Sequence, residues 1–95
     1  MGEFGRTPQI NGNTGRDHFP SVTPVVIGGG GLRGGLAVGS TDASGLKIVD
    51  GEAKVPDLLA TLMTAIGIDP AHEFRTEFGA VAPATDHGKP IRELL

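Results

Sequence analysis

The segment Val55-Pro56-Asp57-Leu58-Leu59-Ala60-Thr61-Leu62-Met63-Thr64-Ala65-Ile66-Gly67 decides how this chain is read. Val55, Leu58, Leu59, Leu62, Met63 and Ile66 fall at i, i+3, i+4, i+7, i+8 and i+11, which is one stripe of a helix. Pro56 suits the first turn, where its missing N–H breaks no bond, and Asp57 complements the positive end of the helix dipole. Gly67 supplies a left-handed cap at the far end, and Pro70 prevents the helix from resuming. The spacing predicts an amphipathic helix at residues 56–66, inside a helical region 55–67. Its apolar stripe needs a sheet or a second helix to cover it.

Working outward, residues 25–50 read as short strands. Pro24-Val25-Val26-Ile27 is a continuous apolar run closed by Gly28 to Gly31, the pattern of a strand buried on both faces at the centre of an α/β sheet. Leu32 to Ser40 reads as a weaker strand after the glycine turn, and Leu46-Lys47-Ile48-Val49 alternates once before the turn pair Asp50-Gly51. The glycine run is a tight strand exit rather than a nucleotide cradle, because no Gly-Lys-Ser/Thr follows it. Residues 1–24 are loop-formers: Gly5-Arg6-Thr7-Pro8, then Asn11-Gly12-Asn13-Thr14-Gly15, then Pro20 and Pro24. The tail 71–95 carries His72, Pro83 and Pro90 and reads as loop with one short helical turn before Leu95.

Composition bounds the function. With 95 residues there is room for one small domain, and a chain of that length buries only about 60–65% of its unfolded surface. The four aromatics are all Phe and sixteen residues are Gly, so little is available to form a core and much backbone entropy opposes folding. Residues 1–95 therefore read as a single incomplete domain. The net charge of −3 and pI near 5.4 argue against a nucleic-acid partner, which selects a basic stripe. No apolar run approaches the roughly 20 residues of a membrane span, and no basic-then-apolar signal opens the chain. Zero Cys excludes disulfides and thiolate ligands, so any metal must be held by His and carboxylates.

The chemistry-bearing residues gather in loop 1–24. Glu3, Asp17 and His18 are suitable ligands for a divalent ion such as zinc, manganese or calcium. Arg6 and Arg16 carry the guanidinium fork that binds the oxygens of an anionic ester. Spacing alone is not diagnostic, and a polar surface loop with scattered charges accounts for the same composition. Asp17 reads either as a ligand or as an orienter of the His18 imidazole. The two arginines read either as an anion clamp or as structural partners of Glu3 and Asp17. Asp86-His87-Gly88 is expected to follow no strand, which argues against a metal role, and His72 reads as a surface residue.

Met1-Gly2-Glu3-Phe4-Gly5-Arg6-Thr7-Pro8, Ile10-Asn11 and Gly15-Arg16-Asp17-His18-Phe19-Pro20 resemble the bacterial family called domain of unknown function 1501. So do Leu32-Arg33-Gly34-Gly35 after the glycine run, Gly39-Ser40-Thr41-Asp42, and the helix from Pro56 to Ile68. The resemblance is collinear over nearly the whole chain. It implies the C-terminal piece of a much longer protein, one whose relatives often carry a twin-arginine export signal, hence a periplasmic or extracellular location. It implies further that Met1 corresponds to an internal Met and that the N-terminal part is missing.

That family is similar to the alkaline phosphatase and sulfatase superfamily. The similarity implies an α/β/α sandwich, of which this chain would be the closing strands and helix. It also implies a metal-dependent hydrolase of a small phosphate or sulfate ester, inactive as this piece alone. Glu3 then stands at the strand-end carboxylate and His18 at a returning imidazole, with Arg6 or Arg16 on the substrate. Phe4 departs from the pattern by occupying the place of an adjacent His, and Phe19 by replacing a Trp. The loss at Phe4 opens a second expectation, a non-catalytic extracytoplasmic binding or scaffold module with a degenerate metal site.

Overall fold

A computed structural model describes every residue from Met1 to Leu95. The chain divides into two compact units, one made of Met1–Ile27 with Val38–Glu52 and the other of Gly28–Ala37 with Ala53–Leu95. In chain order the elements are β1 (Gly5–Arg6), β2 (His18–Phe19), β3 (Ser40–Thr41), β4 (Ile48–Asp50), α1 (Val55–Ala65), β5 (Glu73–Arg75), β6 (Val81–Pro83) and a 3-10 turn at Arg92–Leu94. The class is mixed α/β: one helix with three separate two-stranded antiparallel sheets, β1–β2, β3–β4 and β5–β6. These pairs make no continuous central sheet. No helix is long and apolar enough to cross a membrane.

Both ends of α1 follow from its sequence. Asp57, in the first turn, accepts a hydrogen bond at Oδ2 from the Lys54 N–H at 2.9 Å, which satisfies a donor just ahead of the helix. At the other end Gly67 takes φ of 81°, the Gly67 N–H donates to Thr64 O at 3.0 Å and the Ile68 N–H to Met63 O at 2.8 Å. That pair of bonds is a Schellman closure, which a residue free to adopt positive φ makes cheap.

The deepest burial on α1 lies off its apolar stripe. Ala60 and Thr61 are its buried residues, and Ala60 is the buried hydrophobic of the chain. On the stripe, Leu58, Leu62 and Met63 are half-buried, while Val55, Leu59 and Ile66 are exposed. The buried face receives the tail instead. The Lys89 N–H donates to Asp57 Oδ1 at 2.8 Å, and the Ile91 N–H donates to Thr61 Oγ1 at 2.9 Å. Gly88 lies so close that a Cβ built on it would sit 2.0 Å from Pro56 O. The buried Thr85 donates from Oγ1 to Pro70 O at 3.0 Å, and the Arg33 N–H donates to Leu94 O at 2.9 Å. The tail is therefore tethered through three side chain-to-backbone bonds and one bond between backbones.

Three expectations change. Pro24 to Ile27 is not a strand, and Val26 is 91% exposed. Burial on both faces requires strands on either side and helices above and below, and prolines with glycines at its ends leave the run without pairing partners. Of the stretch Leu32 to Ser40, only Ser40 enters a strand, pairing with Asp50 while Thr41 pairs with Ile48. The tail holds a hairpin, with Glu73 opposite Pro83 and Arg75 opposite Val81, so Asp86-His87-Gly88 does follow a strand, β6.

Candidate metal and anion hairpin

The residues singled out in loop 1–24 are organised by the β1–β2 hairpin. Gly5 pairs with Phe19 and Arg6 with His18. Strand geometry alternates faces, so Arg6 and His18 stand beside one another on one face while Gly5 and Phe19 take the other. Glycine is required at position 5, since a Cβ there would come within 1.7 Å of Val22 O. The Gly5 N–H donates to Thr23 Oγ1 at 3.1 Å, which ties the chain after β2 back onto β1.

The two arginines hold the loop rather than a carboxylate. Arg6 donates from Nη1 to Arg16 O at 3.3 Å. Arg16 donates from Nη1 to Thr7 O at 2.8 Å and also to Pro8 O. These bonds engage one terminal nitrogen of each guanidinium and leave the rest of the fork uncommitted by them. Neither partner is Glu3 or Asp17, so structural pairing exists but with backbone oxygens.

Asp17 turns into the loop. Its Oδ1 accepts from Asn11 Nδ2 at 2.8 Å, its N–H donates to Thr7 Oγ1 at 3.1 Å, and its carbonyl accepts from the Thr7 N–H at 3.0 Å. Asp17 itself precedes β2, which begins at His18. The bond from Asn11 engages Oδ1 of the Asp17 carboxylate. His18 is exposed, and its ring lies 4.1 Å from the ring of Phe4 at an angle of 38°. Glu3 is exposed and precedes β1.

Nowhere in the chain do three or more His, Cys, Asp or Glu residues form a group able to hold a metal ion. Glu3, Asp17 and His18 do not make such a set, and a divalent ion at this hairpin needs further donors. Of the remaining residues considered, His72 packs edge-on against Phe74 at 4.7 Å. Asp86 and His87 are exposed in a turn closed by the Gly88 N–H donating to Thr85 O at 3.0 Å. Both adopt positive φ, 48° and 60°, unusual for residues with side chains.

Asn11 is the site residue that residue-type reasoning missed. It fixes Asp17 and also caps its own loop, accepting at Oδ1 from the Asn13 N–H at 2.9 Å and the Gly15 N–H at 3.1 Å. Its signal was present in the sequence: an Asn followed by Gly in a run of loop-formers favours an Asx turn, the side chain accepting from the N–H two residues on. Asp42 does the same work between β3 and β4. It accepts at Oδ1 from Ser44 Oγ at 2.8 Å and the Leu46 N–H at 3.0 Å, and these bonds, the Ser44 hydroxyl first, hold its carboxyl below the usual 3.8.

The family described as protein of unknown function, DUF1501, matches the chain over residues 1–95. No curated protein and no solved structure matches it.

Proposed function

Since the chain belongs to the DUF1501 family over residues 1–95, we propose that it supplies one wall of the active site of an exported phosphatase- or sulfatase-like metallohydrolase. Alone it turns nothing over. The observation that carries this reading is the β1–β2 pairing, which sets an exposed Arg6 and an exposed His18 on one face of a braced hairpin. An imidazole for a divalent ion beside a guanidinium for the ester oxygens is the donor pair that metal-assisted ester hydrolysis uses. His18 and Glu3 give ligands, Arg6 and Arg16 face the anionic substrate, and Asp17 braces the loop through Asn11. On this reading the remaining ligands and the nucleophile come from other parts of the protein.

One observation favours the second reading, a non-catalytic extracytoplasmic binding module. The Phe4 ring packs against His18, so an apolar group occupies the neighbourhood where a further ligand is needed. Elemental analysis of the full-length protein and its His18→Ala variant tests the first reading, combined with a screen of aryl phosphates and aryl sulfates. The hydrolase reading expects a divalent metal that His18→Ala loses, and turnover in the full-length protein only. Metal content unchanged by His18→Ala rejects the ligand role; metal bound without turnover selects the binding module.

A further inference from the structure

We propose that Asn11–Gly12 is a self-modification site, where Asn11 converts to aspartate or isoaspartate and thereby unlocks the loop between β1 and β2. Asn11 is the hub of that loop. Its Oδ1 accepts from the N–H groups of Asn13 and Gly15 at 2.9 and 3.1 Å, and its Nδ2 donates to Asp17 Oδ1 at 2.8 Å. Its backbone joins in, the N–H donating to Gly15 O at 2.8 Å and the carbonyl accepting from the Thr14 N–H at 3.1 Å.

The Asx turn made by the Asn13 N–H folds the carboxamide back toward the peptide bond that follows. That bond leads into glycine, and a Cβ built at Gly12 would meet nothing within 4 Å, so the approach is open. Two N–H donors already sit on Oδ1, where negative charge develops when Cγ is attacked. Donors placed on such an oxygen are what lower the barrier to acyl transfer.

The step balances with water alone. The Gly12 amide nitrogen, having lost its proton to hydroxide, attacks Asn11 Cγ. A bond from that nitrogen to Cγ forms, the Cγ–Nδ2 bond breaks, and ammonia leaves with a proton from water. The resulting succinimide is opened by a second water. Attack at Cγ gives aspartate, and attack at the main-chain carbonyl gives isoaspartate, whose backbone is longer by one methylene. The donor that held Asp17 is now an oxygen, so two acceptors face each other where a bond of 2.8 Å stood. The loop loses its brace next to His18.

Asn13 is an internal control, because it is followed by the β-branched Thr14 and accepts no pair of backbone donors on its carboxamide. The purified chain is incubated in mildly alkaline buffer and mapped by peptide mass spectrometry for exchange of the amide NH2 for OH. Conversion at Asn11 should outpace Asn13 by about tenfold or more, given what one preorganised oxyanion donor contributes. Gly12→Ala should slow it by on the order of tenfold, since a Cβ narrows the conformations that reach Cγ. Amide exchange of Thr7 and Asp17, whose bonds close the loop, should then rise by about tenfold in the converted wild-type chain, as loss of one charge-assisted bond implies. Absent conversion at Asn11, equal conversion at both asparagines, or conversion that leaves Thr7 and Asp17 exchange unchanged each overturns the proposal.

Discussion

Replacing Thr61 by Val removes one oxygen from the centre of the second unit and barely changes its shape. The Thr61 side chain is fully buried, donates from Oγ1 to Asp57 O at 2.7 Å and accepts the Ile91 N–H at 2.9 Å. Asp57 O loses little, because a carbonyl in the first turn of a helix also accepts within the helix. The Ile91 N–H loses its acceptor and faces a methyl group. Leaving a partly buried donor unsatisfied costs about 1–3 kcal/mol, and a central figure near 2 kcal/mol corresponds to about 30-fold in an equilibrium. Thr61→Ser keeps the oxygen and gives up one methyl, about 1 kcal/mol or roughly fivefold. Amide hydrogen exchange reads the difference residue by residue. Ile91 in Thr61→Val should exchange about 30-fold faster than wild type. Lys89 should follow partially, since Asp57 still holds it, and the Arg33 amide on Leu94 O reports whether the end of the tail lifts as well. Thr61→Val and Thr61→Ser giving the same Ile91 rate would refute the idea that this hydroxyl tethers the tail.

Other perturbations follow from the same tether and from the hairpin. The Asp57 carboxyl lies below its usual 3.8, held there first by the Lys89 N–H and then by the Lys54 N–H, with the charges of Lys54 and Lys89 adding. A carboxyl lowered on folding stabilises above its usual value and loses that contribution as pH falls through the folded-state value. The Lys89 amide should therefore lose protection on acidification below 3.8, and Asp57→Asn should flatten that limb; an unaltered acid limb in the variant sinks the assignment. Gly88→Ala drives a Cβ to 2.0 Å from Pro56 O, so the tail must lift, and urea unfolding should show a loss on the order of 2 kcal/mol. Wild-type stability in Gly88→Ala would mean that the tail does not lie against Pro56. Gly5→Ala brings a Cβ within 1.7 Å of Val22 O; chemical shifts of Arg6, His18 and Phe19 should collapse toward coil values, while those of α1 stay put.

The helix was legible because each of its determinants is local: the period of the stripe, Pro56 and Asp57 at one end, Gly67 at the other. Its partner was not. Periodicity names the apolar side, and the usual inference is that this side is buried, yet Leu58, Leu62 and Met63 are only half-buried and Val55, Leu59 and Ile66 exposed, while Ala60 and Thr61 are the buried residues. A stripe specifies burial only when something in reach can cover it. Here what reaches the helix is a tail of Gly88, Lys89 and Ile91, attached through backbone donors that find Asp57 and Thr61. Hydrogen-bond attachment of that kind leaves no apolar signature in the sequence. The same limit explains Val25 and Val26, whose apolar run implies a sheet centre that the strands of this chain do not form.

The hairpin was legible in its chemistry and not in its geometry. Arg6 and His18 were picked out by residue type, but twelve positions of sequence separate them, and only the register of β1 against β2 makes them neighbours. Asp17 and His18 are the converse case. Adjacent in sequence, they read either as two ligands or as a ligand with its orienter, and the structure adds a partner that adjacency does not name, Asn11, which donates to the Asp17 carboxylate. Register across a ladder, rather than adjacency along the chain, is what sets two side chains beside one another on one face. By that rule the face to test first is the one bearing Arg6 and His18, and the residue whose loss should leave that face intact but loosen its loop is Asn11.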